Sequence, residues 1–580
     1  MRGVFISFFG LWLILSACQT IVPETQTPTL VPSLTTTSSA TPHPTSTATP
    51  LVPTSTVLPA TPTQITPQVQ LDFEIRTHPD AGLFVGDQIS FEVIPLSDFD
   101  LENQILRIYS ADKTDPPMES NFAPFGIAGR QQATLYWDWD TTGLEAGAQP
   151  LTFAIQPLGY TWTQTVTLGL ADDVPPPEPL AHWVTSESEC CVFYYISETA
   201  AAREITATLA LADQQAAHAI EALGGDFTEP LVVTLMPRVL GQGGFASNEI
   251  YTFFLDRNYA GNNLEMVLHH EMVHLLDRRL GGELRPSILV EGLAVYLTGG
   301  HYKPEALIPR AAALLAPTQR ADGLGLDWYI PLRELVDDFY QSQHEIGYIQ
   351  AGALVAYLVD TWGWEAYSNF YRDIQPIASG SQSDALDAAL QTHFGLTLEE
   401  LEHNFVEILK EQPITSETIA DMQLTVSFFE VMRRYQQALD PSAYFLTAWL
   451  PDGPVMRERG ITADLLRRPS SIENLALETL LVSADQAMEE GDFEAAAEAL
   501  EAVSLALDAM AAGNPDAFGI HPLANAYFEI AQLAWRAGYY VERIAVDNQS
   551  ARVIASQGWP DLTVFEFGLV DGHWILVGSQ

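Results

Sequence analysis

The chain has 580 residues, of which 47% are hydrophobic and 10% aromatic, enough for several packed cores. Its 74 acidic residues outnumber 26 basic ones and give a formal net charge of -48. This acidic excess excludes a phosphate-neutralising surface for nucleic acid and argues against electrostatic adhesion to anionic lipid. We therefore expect no nucleic-acid partner, and a monomer that like-charge repulsion keeps soluble.

Residues 1–17 predict a lipoprotein signal peptide. The segment has one arginine, an apolar stretch and small residues before Cys18. It is too short and wrongly flanked for a stable membrane span. Leu15-Ser16-Ala17-Cys18 resembles a bacterial lipobox, whose cysteine becomes lipidated; an ordinary signal peptide with an incidental cysteine is the alternative. The resemblance implies acyl chains at Cys18 that anchor the protein to the outer face of a bacterial membrane.

The next two segments differ sharply in composition. Residues 18–69 are rich in Thr, Pro and Ser and predict an extended, disordered stalk. Residues 70–174 contain short alternating runs separated by turn residues, which predict a small antiparallel β-sandwich of six or seven strands. This region resembles the Ig-like modules of bacterial surface proteins, although it lacks a cysteine pair. The proline-rich residues 174–179 then predict a stiff linker.

Two regions follow the linker. Residues 180–412 mix strands with long helical stretches and predict an α+β domain, whereas residues 413–580 predict helices followed by antiparallel strands with an Asp571-Gly572 turn. Cys190 and Cys191 are neighbours at the start of a predicted strand. Since successive strand residues point to opposite faces, we expect them not to pair with each other.

HHEMVH, residues 269–274, lies within a predicted helix from Leu264 to Leu280. Asn262 and Asn263 are suited to cap its start, and Gly281-Gly282 to end it. His270 and His274 then share one face, about 6 Å apart along the axis, a separation that one metal ion bridges. Glu271 can reach a water held by that metal, while His269 points elsewhere. A structural histidine pair is the alternative.

A second helix follows in RPSILVEGLAVYLTGG, between Pro286-Ser287 and Gly299-Gly300. It places Glu291 seventeen positions after His274, across a turn long enough to bring the helix back antiparallel, with Gly292 allowing close approach. A buried glutamate facing two histidines needs a partner, and a cation is the natural one. Two histidines and one glutamate leave a fourth tetrahedral position open, which is typical of catalytic zinc.

HEMVH followed by VEGLAVY resembles the gluzincin zinc peptidases, the thermolysin-like and aminopeptidase-like superfamily, over roughly residues 180–412. The resemblance implies one Zn²⁺ per chain, with His270, His274 and Glu291 as ligands and Glu271 as general base. It also implies that residues 249–255 form the sheet edge along which an extended peptide binds. The loop by which aminopeptidases of this superfamily hold a free amino terminus is not found, so exopeptidase activity is not predicted.

The residue that stabilises the transition state is less well defined. Tyr348 precedes a small-residue helix and resembles the tyrosine that aminopeptidase-like gluzincins place over the zinc, but the following glycine comes one position late. His344, one helical turn earlier, is the alternative donor, and Tyr348 is then a packed helix residue. Asp277 either orients a ligand or is an exposed residue at the helix end.

Together these features predict a multidomain protein: an N-terminal Ig-like β-sandwich, a central α+β thermolysin-like peptidase domain and a C-terminal α+β region. The predicted function is zinc-dependent hydrolysis of peptide or protein substrates at the outer cell surface, with Glu271 activating the attacking water. Two alternatives are a surface binding or adhesion module with a weakly active zinc site, and a zinc hydrolase of a non-peptide amide.

Overall fold

The computed structural model describes residues 71–579, except 98, 111–115, 242, 262, 343 and 379. The predicted signal peptide, the Cys18 lipidation site and the predicted stalk lie outside the described residues. Among the helices of the described residues, none has the length and apolarity that a membrane crossing needs. The fold is a multidomain α+β arrangement with a curled sheet first, helices in the middle and strands at the end.

The first seven strands form one antiparallel sheet, called here the N-terminal sheet, in the order β1-β2-β5-β4-β3-β6-β7. Its strands are β1 (Phe73–His78), β2 (Gln88–Pro95), β3 (Ile105–Tyr109), β4 (Met118–Phe125), β5 (Arg130–Asp140), β6 (Gly147–Gln156) and β7 (Tyr160–Leu168). The first half of β4 pairs with β3 and the second half with β5, so the sheet curls around its own apolar core. The predicted number of strands is confirmed, and the Ig-like resemblance stays a prediction.

A mixed five-stranded sheet lies in the central region, in the order β11-β12-β10-β9-β8. Its strands are β8 (Trp183–Glu187), β9 (Cys191–Ile196), β10 (Leu231–Met236), β11 (Gly244–Ala246) and β12 (Ile250–Phe253). The expectation that residues 249–255 form the sheet edge is wrong. The short strand β11 pairs antiparallel with the outer side of β12 and takes the edge itself, whereas β12 pairs with β10 on its other side.

Helices dominate the rest of the central region. They are α1 (Ala200–Leu223), α2 (Leu264–Leu280), α3 (Ser287–Thr298), α4 (Leu307–Ala313), α5 (Leu332–Asp337), α6 (His344–Trp362), α7 (Trp364–Arg372), α8 (Gln382–Phe394) and α9 (Leu398–Glu411). The predicted bounds of α2 are confirmed: the Asn263 side chain accepts a hydrogen bond from the Glu265 backbone amide, and Gly281 caps the C-terminus. Helix α3 also begins and ends where the sequence predicts, with Gly299 in the left-handed conformation after its last turn.

The C-terminal region contains six helices and four strands. They are α10 (Ser416–Leu439), α11 (Gly453–Arg459), α12 (Ala463–Leu466), α13 (Ile472–Glu490), α14 (Phe493–Ala511), α15 (Pro522–Arg536), β13 (Tyr540–Asp547), β14 (Ser550–Ser556), β15 (Leu562–Val570) and β16 (His573–Ser579). The four strands form an antiparallel meander. The predicted Asp571-Gly572 turn joins the last two, with φ of 52° and 83°, as a type I′ hairpin turn requires.

Cys190 and Cys191 form a disulfide with each other, so the expectation that they do not pair is wrong. That expectation treated both residues as part of one strand. Cys190 instead lies in the turn before β9, which begins at Cys191. The alternation of a strand therefore does not apply to this pair.

Buried polar contacts join the N-terminal sheet to the C-terminal region. The Arg467 guanidinium donates to Asp87 and to Glu178, and the Trp137 indole N–H donates to Asp464 at 2.8 Å. Trp449 is fully buried and stacks on His78 at 3.9 Å between ring centroids. The apolar core of the C-terminal region is also shared, because it includes side chains from β5, β10 and β12. The three parts of the chain therefore pack as one body.

The contact that positions α3 is the approach of Gly292 to α6. A Cβ at residue 292 would lie 2.5 Å from the Ala351 carbonyl oxygen, which cannot move without displacing the α6 backbone. The sequence prediction that Gly292 permits close approach is thus confirmed. Because Glu291 is the neighbouring residue on α3, this packing also sets where its carboxylate lies.

We predict that Gly292→Ala lowers the free energy of unfolding by about 1–3 kcal/mol, because the added methyl group overpacks the α3–α6 interface. Denaturant unfolding followed by tryptophan fluorescence measures this change. Gly352→Ala is the comparison, since its Cβ would meet the Val295 side chain rather than backbone, and side chains shift more easily. Unfolding curves of Gly292→Ala that match the parent would contradict this account of the interface.

Candidate metal centre

Helices α2 and α3 bring three of the predicted residues together. The Nε2 atoms of His270 and His274 are 2.9 Å apart. Glu291 Oε2 lies 3.3 Å from the first and 3.2 Å from the second. The three donor atoms therefore form a nearly equilateral triangle. Two of them come from successive turns of α2 and the third comes from α3.

This triangle fits a zinc ion. Zinc lies about 2.0–2.2 Å from imidazole nitrogen and carboxylate oxygen, so two ligand atoms in a tetrahedral site are about 3.4 Å apart. The measured separations of 2.9, 3.3 and 3.2 Å are close to that value. Three ligands occupy one face of such a tetrahedron and leave the fourth position for water or substrate. These residues could hold a metal, and the chemistry of the donor set suits zinc.

Without a metal, the charges of this group depend on one another. Burial would raise the pKa of Glu291, but His274 and His270 outweigh it and hold that pKa well below its ordinary value. Burial, followed by the nearby His274, lowers the pKa of His270 to about 4. Burial also disfavours a charged His274, but Glu291, Glu271 and Asp277 together raise its pKa. Of the two histidines, His274 therefore holds a proton more readily, and it does so beside an ionised Glu291.

Glu271 lies beside the triangle and faces the same cavity. Its side chain is buried, and burial raises its pKa to about 7. A carboxyl group with a pKa near neutrality accepts and returns a proton more readily than an exposed glutamate does. This is the property that a general base needs.

Two side chains support the donors from outside the triangle. The Tyr340 hydroxyl donates to Glu291 Oε1 at 2.8 Å, so both carboxylate oxygens have partners. Asp277 is 2% exposed and accepts from the Tyr371 hydroxyl at 2.8 Å and from Arg285 at 2.9 Å. Of its two sequence interpretations, the exposed helix end is wrong. Its charge acts on His274, whose buried Nδ1 makes no hydrogen bond within the described residues.

A second histidine and carboxylate group lies next to the first. Donor atoms of His301, His344 and Glu345 lie within 4.8 Å of one another. Glu345 is fully buried, and its Oε2 is 3.1 Å from His301 Nδ1. Arg433 is close enough that its charge helps to lower the pKa of His344, after burial and His301. Because the positive charge of Arg433 would repel a second metal ion, we interpret this group as a hydrogen-bonded network.

The two predicted transition-state donors are His344, which belongs to this second group, and Tyr348, which packs against it. Tyr348 is buried, and its ring centroid is 6.4 Å from that of His270 and 4.1 Å from that of His301. His344 lies beyond Tyr348, with its ring 4.3 Å from the tyrosine ring and 4.9 Å from that of Phe445. His301 contacts the metal-ligand group itself, with its ring 5.9 Å from that of His270. His269 faces α1, where its Nδ1 lies 3.1 Å from Gln215 Oε1.

Sequence reasoning missed His301, Tyr340 and Glu345. His301 follows Gly299-Gly300 directly and comes ten positions after Glu291, so a histidine soon after the ligand helix was its only sequence signal. Glu345 adjoins the predicted His344. Tyr340 lies in a short connection between α5 and α6, where nothing in its neighbours indicates a role.

One cavity of about 900 Å³ is lined by His270, Glu271, His274, Glu291, His301, Tyr340, His344 and Tyr348. One wall contains the metal-ligand group and the edge strand β11. Another comes from the N-terminal sheet, and a third from residues 445–450 of the C-terminal region. This volume lies near the upper end of the range for ligand pockets, so the cavity accommodates more than one amino-acid residue of a substrate.

No protein-family model matches the chain, and no curated protein matches it. Among solved structures, an aminopeptidase N family protein from Idiomarina loihiensis is similar to it. The sequence identity is 10%, with 60% of this chain and 78% of that chain covered, and the TM-score is 0.25. This is a weak likeness that carries no argument about chemistry, so the centre is judged on its own geometry.

We predict that zinc affinity rises as the pH increases above the ordinary histidine pKa of 6.5. The raised pKa of His274 means that its ring still holds a proton at that pH in the metal-free protein, and zinc must expel the proton to bind. Above the pKa the competition disappears, so the dissociation constant falls as pH increases. Competition titrations with a chromogenic chelator at several pH values measure the slope. His218→Asn, on α1 and outside the centre, should keep it, and a pH-independent affinity would contradict the proton assignment.

Proposed function

We propose that the protein is a zinc-dependent metallopeptidase of the gluzincin type. The observation that supports it most directly is the triangle of His270, His274 and Glu291 donor atoms, 2.9 to 3.3 Å apart, beside a buried Glu271 in an open cavity. A structural zinc site is closed by four protein ligands, whereas this group offers three and faces the cavity.

A bound zinc ion would acidify water and polarise a substrate carbonyl. The residues of the chain divide the remaining tasks. Glu271, buried beside the triangle, would take the proton from the attacking water and return it to the leaving nitrogen. Tyr340 and the packing of α3 hold Glu291 in place, so the ligand triangle does not collapse during turnover.

His301 is the best-placed donor to the developing oxyanion. Glu345 fixes its Nδ1, which orients the ring and leaves Nε2 as the nitrogen available for other contacts. Burial disfavours the charged form of His301, but Glu345, Glu305 and Glu291 raise its pKa above the ordinary value. Tyr348 stacks on the same ring at 4.1 Å between centroids and is the second donor, whereas the His344 ring lies 5.1 Å from that of His301.

The remaining parts of the sequence prediction complete the proposal. The lipobox at Cys18 would anchor the chain to the outer face of a bacterial membrane, and residues 18–69 would extend the catalytic region away from it. The N-terminal sheet would be an Ig-like module beside the catalytic cavity. The substrate would be a peptide or protein at the cell surface.

We predict that Glu271→Gln retains about one zinc per chain and loses hydrolysis of a mixed peptide library by about 10²–10⁴-fold. The amide keeps the shape of the side chain but cannot accept the proton. Elemental analysis and mass spectrometry of the digests are the two measurements. Glu265→Gln, one and a half turns earlier on α2 and exposed, is the matched control and should cleave like the parent.

The outcomes of that experiment separate the alternatives. Zinc in both proteins without cleavage by either would favour the binding module or the non-peptide amide hydrolase. Failure of the parent to bind any metal would refute the metal centre itself.

We predict a larger loss of kcat for His301→Gln than for Tyr348→Phe or His344→Gln, with zinc content unchanged in all three. Removing one oxyanion donor costs about 10²–10³ in kcat and little in KM. Steady-state kinetics with a quenched fluorescent peptide separates the two constants. A His344 variant that loses the most activity would move the donor role to that residue.

A further inference from the structure

A wall of the catalytic cavity is built from the N-terminal sheet, outside the α+β region that carries the metal centre. The lining residues from this sheet fall between 120 and 136, in β4, β5 and the turn between them. They include Ala123, Phe125, Ile127 and Tyr136, and none of the described lining residues in this stretch is charged. In a chain of net charge -48, such an uncharged wall is a distinct surface.

The turn between β4 and β5, residues 126–129, is held in place by backbone contacts. The Ala128 backbone amide donates to the Leu446 carbonyl oxygen at 3.1 Å. Gly126 has φ of +69°, and a Cβ there would lie 2.4 Å from the same oxygen. The backbones of the two segments are therefore in direct contact, which only glycine permits at this position.

The strand that follows the turn is anchored as well. The Tyr136 ring packs on Trp449 with 5.0 Å between centroids, and the adjacent Trp137 is bonded to Asp464. A wall fixed on this many sides keeps its shape when substrate binds. Preorganisation of this kind lowers the entropic cost of binding.

Ile127 is the most direct apolar contact that this turn offers to a ligand. Its side chain is 37% exposed although it is large and aliphatic, and it lines the cavity. Phe245 on the edge strand β11 and Phe445 from the C-terminal region line the same cavity. Three regions of the chain thus place apolar groups around one space that is continuous with the metal-ligand group.

We propose that Ile127 and Phe125, together with Phe245 and Phe445, form a binding subsite for a large apolar side chain of a peptide substrate. The inference rests on the proposed peptidase function and names its substrate class: extended peptides with a bulky aliphatic or aromatic residue away from the cleaved bond. The continuity of this surface with the metal centre favours a substrate as its occupant. An apolar side chain loses water on binding there, whereas a charged one loses hydration without gaining a partner.

Binding measured without turnover tests this subsite. The full chain with Glu271→Gln, loaded with zinc, is titrated into two labelled peptides that differ only in one residue, leucine or aspartate, within a glycine and serine background. Fluorescence anisotropy gives both dissociation constants. The leucine peptide should bind more tightly, and Ile127→Asp in the same background should weaken its binding by about tenfold or more, so that the preference for leucine over aspartate is lost.

Leu158→Asp is the matched control. Leu158 lies in the turn between β6 and β7 of the same sheet, is 53% exposed and does not line the cavity, so its variant should bind like the parent. Ile127→Ala repeats the test with a milder change, and the melting temperatures of all variants confirm that they are folded.

The possible results are distinct. Equal binding of the leucine peptide by the Glu271→Gln protein and by both of its Ile127 variants would overturn the subsite. So would the absence of any preference for leucine in the Glu271→Gln protein itself. The subsite would also be overturned if Ile127→Asp weakened binding only of a synthetic peptide of residues 19–69 or of lipid vesicles. The occupant would then be the chain's own predicted stalk or a lipid. Failure of the proposed function would give a different result: the zinc-loaded chain with its native Glu271 would bind the leucine peptide and not cleave it.

Discussion

A carboxylate buried between two imidazoles is the constraint on which the rest of this structure depends. Glu291 is 4% exposed, and a charge at that depth is stable only with partners of opposite charge or a metal. The partners come from α2, so α2 and α3 must pack with Glu291 facing both histidines. Gly292 allows α3 to approach α6 closely, and Tyr340 contacts the other carboxylate oxygen. The metal-ligand triangle is thus a consequence of helix packing.

The same rule governs the other buried charges of the chain. Among the described residues, Arg238, Arg257, Arg310, Arg320 and Arg467 are all nearly inaccessible to solvent. Four of them pair with carboxylates from distant parts of the sequence, such as Arg467 with Asp87. Only 26 basic residues exist in the chain, so placing several of them inside leaves the surface more acidic still. Scarce cations join regions here rather than neutralise the exterior.

Local signals in the sequence predicted the local structure well. The caps of α2, the glycine after α3 and the Asp571-Gly572 turn each depend on residues within a few positions, and the structure confirms them. The helical spacing of His270 and His274 placed both histidines on one face for the same reason. What the sequence could not predict depends on distant contacts: His301 meets Glu345 across 44 positions, and Ala128 meets Leu446 across more than 300. The edge strand and the Cys190–Cys191 pair were missed because a three-residue strand and a turn leave almost no periodic pattern.

The shared core of the C-terminal region limits how such a chain can change during evolution. Domains that meet through small polar interfaces can be exchanged or lost one at a time. Here Trp137 of the N-terminal sheet and Phe253 of the central sheet are part of the same apolar cluster as Tyr435 and Leu481. Deleting any one part would expose apolar surface on the others, so recombination of single modules would yield chains that aggregate. We therefore expect insertions to be tolerated mainly in exposed turns, and the three parts to be kept together.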